Sequence, residues 1–162
     1  LDTAAVDVSG MTNLTAVEMP LLESVGRYVY FAGCPKLRNV TLTSLASIAS
    51  GRGYNLEVNN CDALAELSLP ALSHLGTATA SVYIFGNAGL KRIALPSLGG
   101  SANLGNASLT FGQNPLLESL DLSGLSGTIK AFSFTSNGFA PLVVPNLERV
   151  TSAFSLDGPG TP

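Results

Sequence analysis

Residues 109–125 read LTFGQNPLLESLDLSGL, and this stretch contains one full unit of a pattern that runs along the whole chain. Leu109 and Phe111 form one apolar pair, and Leu120 and Leu122 form a second. Asn114, Pro115 and Leu117 lie between the pairs, and Leu125 follows the second. Pairs spaced by two fit short strands, whose side chains alternate between faces. The steps of three between them fit bends that turn the next apolar side chain inward. A unit this short cannot bury its own apolar side. It has to stack on copies of itself, as in a solenoid.

Sliding the unit along the chain sets its register. First-strand pairs fall at Val6/Val8, Val29/Phe31, Leu56/Val58, Val82/Ile84, Leu109/Phe111, Phe132/Phe134 and Phe154/Leu156, in steps of 23, 27, 26, 27, 23 and 22 residues. Second-strand pairs fall at Val17/Met19, Val40/Leu42, Leu67/Leu69, Ile93/Leu95, Leu120/Leu122 and Leu142/Val144. A leucine follows each second pair by three residues. Val25, Ile48, Leu75 and Val150 come three further on. Two units carry glycine-rich stretches there instead, read as loops around Gly99–Gly100 and Gly124–Gly127. Proline directly follows the second strand at Pro20, Pro70, Pro96 and Pro145 and stops the ladder. Length variation collects between Ser50 and Tyr54, Gly76 and Ser81, and Gly99 and Ala107, which read as loops. No segment has helical periodicity over ten or more residues. The expectation is an all-β, right-handed parallel β-solenoid of about six rungs of 22–27 residues with almost no helix. It occupies residues 1–156 as one domain and is followed by a Gly/Pro-rich tail at 157–162.

Three residues after each first strand stand Met11, Cys34, Cys61, Asn87, Asn114 and Asn137. An inward Asn at a turn can bond otherwise orphaned backbone groups, and stacked copies make a ladder. Cysteine can stand in as a small buried residue with a weak donor. With this column in place, the stretches GCPKLRNVTLTSL (33–45), NCDALAELSLPAL (60–72), GNAGLKRIALPSL (86–98) and GQNPLLESLDLSGL (112–125) resemble the receptor L-domain repeat. That family is a leucine-rich-repeat relative found in growth-factor receptor ectodomains, fungal GPI-anchored wall proteins and bacterial surface proteins. The resemblance covers about Val6 to Leu156. It implies a binding or adhesion module at a cell surface, with an anchored parent protein. The chain departs from the receptor members in lacking their dense cysteines and a capping helix at its start. Its uncapped ends read as a piece cut from a longer chain, or as ends covered by end-to-end or oligomeric contacts.

Composition narrows the partners. Charged residues make up 12% of the chain against 46% apolar, well under the roughly 25% charge of an average domain. The net charge is −3, and the eight Lys and Arg are scattered. They form no basic stripe of the kind nucleic acid requires. No apolar run reaches the roughly 20 residues of a membrane span.

No motif for catalysis, cofactor or metal emerges, and the expectation is a protein that is not an enzyme and uses no cofactor. Cys34 and Cys61 stand one rung apart, and the column reads them as buried free thiols more readily than as a bridge. Zinc would need three or four N/S ligands. His74 sits at a bend facing solvent, without a visible nucleophile and carboxylate around it. Parallel β-helices also host polysaccharide-degrading enzymes with carboxylates on neighbouring rungs. The outward columns, Asp7-Tyr30-Glu57-Tyr83-Thr110-Ser133-Ser155 and Glu18-Thr41-Ser68-Ala94-Asp121-Val143, place no two acids on adjacent rungs. They are also too mixed for an ice-binding threonine ladder. The aromatic residues say more. Tyr28, Tyr30, Tyr54 and Tyr83 lie in or just before the first strands of three consecutive rungs, and Phe85 shares the outward phase. With Glu57 they form the candidate contact face for protein or carbohydrate, although tyrosine is also simply a good strand residue. The rival roles are a repeat segment of a fibre or tail protein with host recognition, and a β-helix polysaccharide-degrading enzyme. Three sequons, at Asn13, Asn39 and Asn106, matter in a secreting eukaryote.

Overall fold

A computed structural model describes residues 4–49, 53–76, 80–99, 104–138 and 141–158. Within them the chain is all β, with no helix, and its parallel strands stack as a β-solenoid of about six turns. No helix among the described residues is long and apolar enough to cross a membrane. Much of the expected loop sequence, at 50–52, 77–79 and 100–103, lies outside the described residues, as do 139–140 and 159–162 of the tail.

Each first-strand pair is a strand: β1 (Val6–Ser9), β4 (Val29–Ala32), β7 (Leu56–Asn59), β10 (Ser81–Phe85), β12 (Ser108–Gly112), and the ends of the long β14 (Ser126–Thr135) and β15 (Asn146–Leu156). They form one parallel seven-stranded sheet in the order β1-β4-β7-β10-β12-β14-β15. The second-strand pairs give β2 (Ala16–Glu18), β5 (Asn39–Thr41), β8 (Glu66–Ser68), β11 (Arg92–Ala94) and β13 (Ser119–Asp121). This second face divides into two sheets, β2-β5 and β8-β11-β13. A third face, which the leucine spacing reads only as a bend, is built of two-residue strands: β3 (Ser24–Val25), β6 (Ser47–Ile48) and β9 (His74–Leu75).

The steps of three are β-turns. Leu37, Leu64, Leu90 and Leu117 donate their N–H to the carbonyls of Cys34, Cys61, Asn87 and Asn114, three residues back. Leu22, Leu45, Leu72, Leu98, Leu125 and Leu147 do the same after the second strands. Pro20, Pro35, Pro70, Pro96, Pro115 and Pro145 each occupy the second position of such a turn, where a fixed φ suits both common turn types. The residue before each ladder position is left-handed: Gly10, Gly33, Asn60, Gly86, Gln113 and Ser136 have φ between 51° and 68°. A sharp corner therefore recurs once per rung. Glycine meets its cost at three of the six, and Asn tolerates it better than most residues.

Inward side chains pack in columns. Val29, Leu56, Val82, Leu109 and Phe132 make one, and Phe31, Val58, Ile84, Phe111 and Phe134 the next, all buried. The second-strand pairs, the turn leucines and Val25, Ile48 and Leu75 of the third face join them in one continuous core.

Two expectations are corrected. The sixth second strand, at Leu142/Val144, does not form, although both side chains pack against the core. Pro141 and Pro145 flank it and cannot donate to a ladder. The stretch Gly124–Gly127 is not a loop throughout, because β14 begins at Ser126. Gly127, with φ 70°, sits at a register shift against β15 and absorbs the irregularity. Residues 147 and 150 then lie within one eleven-residue strand that runs through to the Phe154/Leu156 pair.

Candidate binding face

The outward side of the seven-stranded sheet carries the aromatic candidates. Register places Asp7, Tyr30, Glu57, Tyr83, Thr110, Ser133 and Ser155 in a single row across the strands, as their alternation requires. Tyr30 and Tyr83 therefore flank Glu57, each about 4.8 Å away at the backbone. All three are half-buried.

The rings are brought together more tightly than the row alone requires. Tyr54 precedes β7 by two residues and its ring stacks on Tyr83, with centroids 4.7 Å apart and planes 28° apart. Phe85, two residues beyond Tyr83, stacks on it at 5.3 Å and 11°. Tyr54 lies level with the residue three before Tyr83, so the three rings run in order along the strand, with Tyr83 in the middle. Both faces of Tyr83 are thus covered by aromatic neighbours. Burial raises the Tyr83 phenol above its usual range, and the Tyr54 and Glu57 side chains push it the same way. The site therefore favours neutral Tyr83.

A polar row runs beside the rings on β7. Asn59 donates through Nδ2 to Glu57 Oε1 at 2.6 Å, and Asn60 donates to Asn59 Oδ1 at 3.2 Å. Asn60 is exposed, at the left-handed corner that follows β7. Tyr28 belongs to a different group: its hydroxyl donates to Asp7 at 3.2 Å, and the Arg27 guanidinium lies 5.5 Å from its ring centroid. Of the six candidates, the structure gathers Tyr30, Tyr54, Glu57, Tyr83 and Phe85 and places Tyr28 with Asp7 and Arg27.

The ladder column is assembled as its sequence implies, from Cys34 to Asn137, whereas Met11 is largely exposed and takes no part. Asn87 Oδ1 accepts from the Cys61 N–H at 3.0 Å, and its Nδ2 donates to Val58 O at 3.0 Å. Asn114 repeats this toward Asn87 N–H and Ile84 O, and Asn137 toward Asn114 N–H and Phe111 O. Both cysteines are buried free thiols. Cys34 Sγ contacts Val8 O of the preceding rung at 3.7 Å, the acceptor that corresponds to Val58 O for Asn87. Burial pushes the Cys61 thiol up to about 11, against a backbone hydrogen bond from Cys34 that pulls it down. The ladder fixes the strand ends under the aromatic stack.

Two features had no sequence signal strong enough to find them. Asn55, fully buried, accepts from Ser81 N–H at 2.8 Å and donates to Ile48 O and Gly76 O. Where the second face divides, Glu18, Arg38, Asn39, Val40, Thr41, Glu66 and Ser68 line an open groove of about 240 Å³. Glu18 and Glu66 fall in different outward columns two rungs apart, so no single column of the sequence pairs them. His74 is exposed in β9, its Nδ1 2.8 Å from Ser73 Oγ. Among the described residues no three of His, Cys, Asp and Glu converge as metal ligands would.

No family model, no curated protein and no solved structure matches this chain.

Proposed function

We propose that this chain is a non-catalytic binding module of an extracellular, surface-associated protein, of the receptor L-domain-like kind. It uses the outward face of its seven-stranded sheet to hold a partner. The observation that carries this reading is the Tyr54–Tyr83–Phe85 stack, lying beside Tyr30 and the Glu57–Asn59–Asn60 row on a ladder-braced sheet. A rigid repeat surface with a preformed aromatic cluster is a good recognition surface, because little has to be ordered on binding. Stacking within the cluster favours a protein partner. With both faces of Tyr83 covered, a sugar ring cannot lie flat on it, whereas ring edges and phenol hydroxyls suit a protein surface. Carbohydrate is the second reading, favoured by the carboxylate–amide row level with Tyr83 and Phe85, which can hydrogen-bond to hydroxyl-rich ligands.

The test uses the wild-type chain and a Tyr30→Ser/Tyr83→Ser variant, immobilised and exposed in parallel to surface-protein extract and to insoluble wall polysaccharide of the source organism. Binding held by the wild type and lost by a folded variant supports the reading, and the substrate retained decides between protein and sugar. Equal retention by both chains overturns it.

A further inference from the structure

Gly112 ends β12 on the outward side of the sheet, directly opposite Phe85 in the parallel register. Its backbone is not among those with positive φ, so no left-handed conformation calls for glycine there. Space does. A Cβ on Gly112 would lie 2.7 Å from Cε2 and 2.8 Å from Cδ2 of Phe85, and 3.2 Å from Thr135 Oγ1. The crowded glycines at 76, 89, 124 and 138 are different, because there the obstacle is the backbone of the preceding rung. At Gly112 the obstacle is the side chain that closes the aromatic stack.

We propose that Gly112 is the positioning residue of the aromatic face: its bare Cα is the seat across which the Phe85 ring lies, and that seat holds Phe85 stacked on Tyr83. The seat extends the site by one rung, from β10 onto β12. A methyl group at 112 would force the ring out of its place. With Tyr83 stacked 5.3 Å from it, Phe85 would have to rotate off its partner. Tyr83 would then lose its cover on one side and the stack would no longer be preformed. The part of this inference that concerns binding rests on the function proposed above; the packing part does not.

A double-mutant cycle separates the two. The chains are wild type, Gly112→Ala, Phe85→Ala and the double variant. Each is followed by Tyr83 ring-proton shifts, near-ultraviolet dichroism of the tyrosines, and retention of the partner found with the wild type. Gly112→Ala should shift the Tyr83 signals in the direction Phe85→Ala shifts them and weaken the partner about 3–10-fold, the range of a lost aromatic contact. In the Phe85→Ala background it should change nothing further. If Gly112→Ala perturbs Tyr83 equally with and without Phe85, or leaves the signals unmoved, the inference is overturned. If the spectra couple as expected but the partner is held as before, Gly112 is the seat and the binding role of the face is wrong. Should Gly112→Ala fail to fold, a folded double variant would still support the seat, and an unfolded one would refute it.

Discussion

Asn114 joins three rungs with one side chain. It accepts from the Asn87 N–H, donates to Ile84 O and meets Asn137 through its amide. Asn114→Ala would leave the buried Asn87 N–H without a partner and remove the added bond to Ile84 O, at about 1–3 kcal/mol. The expected result is a lower urea midpoint at unchanged slope; a loss under 0.5 kcal/mol, roughly that of a surface substitution, would show that the ladder does not brace the fold. Cys61 lies in the same column with weaker hydrogen-bonding groups. In the register of the ladder, Cys61→Asn would take the Cys34 N–H on Oδ1 and give Nδ2 to Phe31 O, as Asn87 does with Cys61 N–H and Val58 O. It should fold with stability within about 1 kcal/mol of the wild type or above it. The same variant tests a pH effect. The Cys61 thiol is near 9.0 when unfolded and raised to about 11 when folded, so the native state holds its proton longer. Stability from this source is fully present below pH 9 and is lost as pH rises toward 11, by up to about 2–3 kcal/mol. Tyr83, also raised, adds a loss of the same sign above its usual 10. Urea midpoints between pH 8 and 10.5 should fall more steeply for the wild type than for Cys61→Asn; parallel curves would remove Cys61 as the cause.

At the scale of the element, short strands depend on the spacing between rungs. A Cβ on Gly124 would collide with Pro96 O of the preceding rung, whereas one on Gly105, in an exposed turn, meets nothing within 4 Å. Gly124→Ala should cost more than about 2 kcal/mol, because backbone cannot yield as a side chain can, while Gly105→Ala should lie within roughly 0.5 kcal/mol of neutral. Thermal unfolding of the pair decides it, and equal midpoints would show that the rungs move apart freely. The same contrast explains what the sequence revealed. Alternating pairs such as Val82/Ile84, with a β-turn proline or glycine at a fixed offset, revealed the first and second strands, because period two and turn chemistry are both local signals. β3, β6 and β9 have two residues each, too few to show a period, and exist only because neighbouring rungs pair them. At 124–127 glycine suggested a loop, but pairing with β15 made a strand. At 142–144 the apolar pair suggested a strand, but two flanking prolines removed the donors. The aromatic face was legible as a set of outward residues. Its stacking was not, since ring contacts depend on Gly112 and on the position of Tyr54 in the neighbouring rung. The Glu18–Arg38–Glu66 groove was hidden because it arises from the division of a sheet rather than from any column.

For the whole molecule, a stack of near-equal rungs should behave as a one-dimensional array, in which each rung contributes its own stability and an interface with each neighbour. Removing a rung in phase then shortens the protein without changing its plan. Deletion of 82–108 joins Ser81 to Leu109, so that Leu109 and Phe111 face Leu56 and Val58 as Val82 and Ile84 do now. Asn114 comes to lie over Cys61 in the place of Asn87, ready to accept its N–H. The deletion removes 27 of 162 residues, about one sixth, and the denaturant slope scales with the surface exposed on unfolding. The shortened chain should therefore fold with its β signature intact, its slope reduced by roughly a sixth, and stability lower by about 1–3 kcal/mol of the 5–15 typical of a domain. It should also lose the proposed binding, because Tyr83 and Phe85 leave with the rung. A deletion of 82–95 provides the control, since it stops half way round the coil and sets the apolar columns out of phase. If the in-phase deletion unfolds like the out-of-phase one, the rungs are not interchangeable units. If it folds and still holds the partner, recognition lies elsewhere, and the groove between β5 and β8 becomes the next surface to alter.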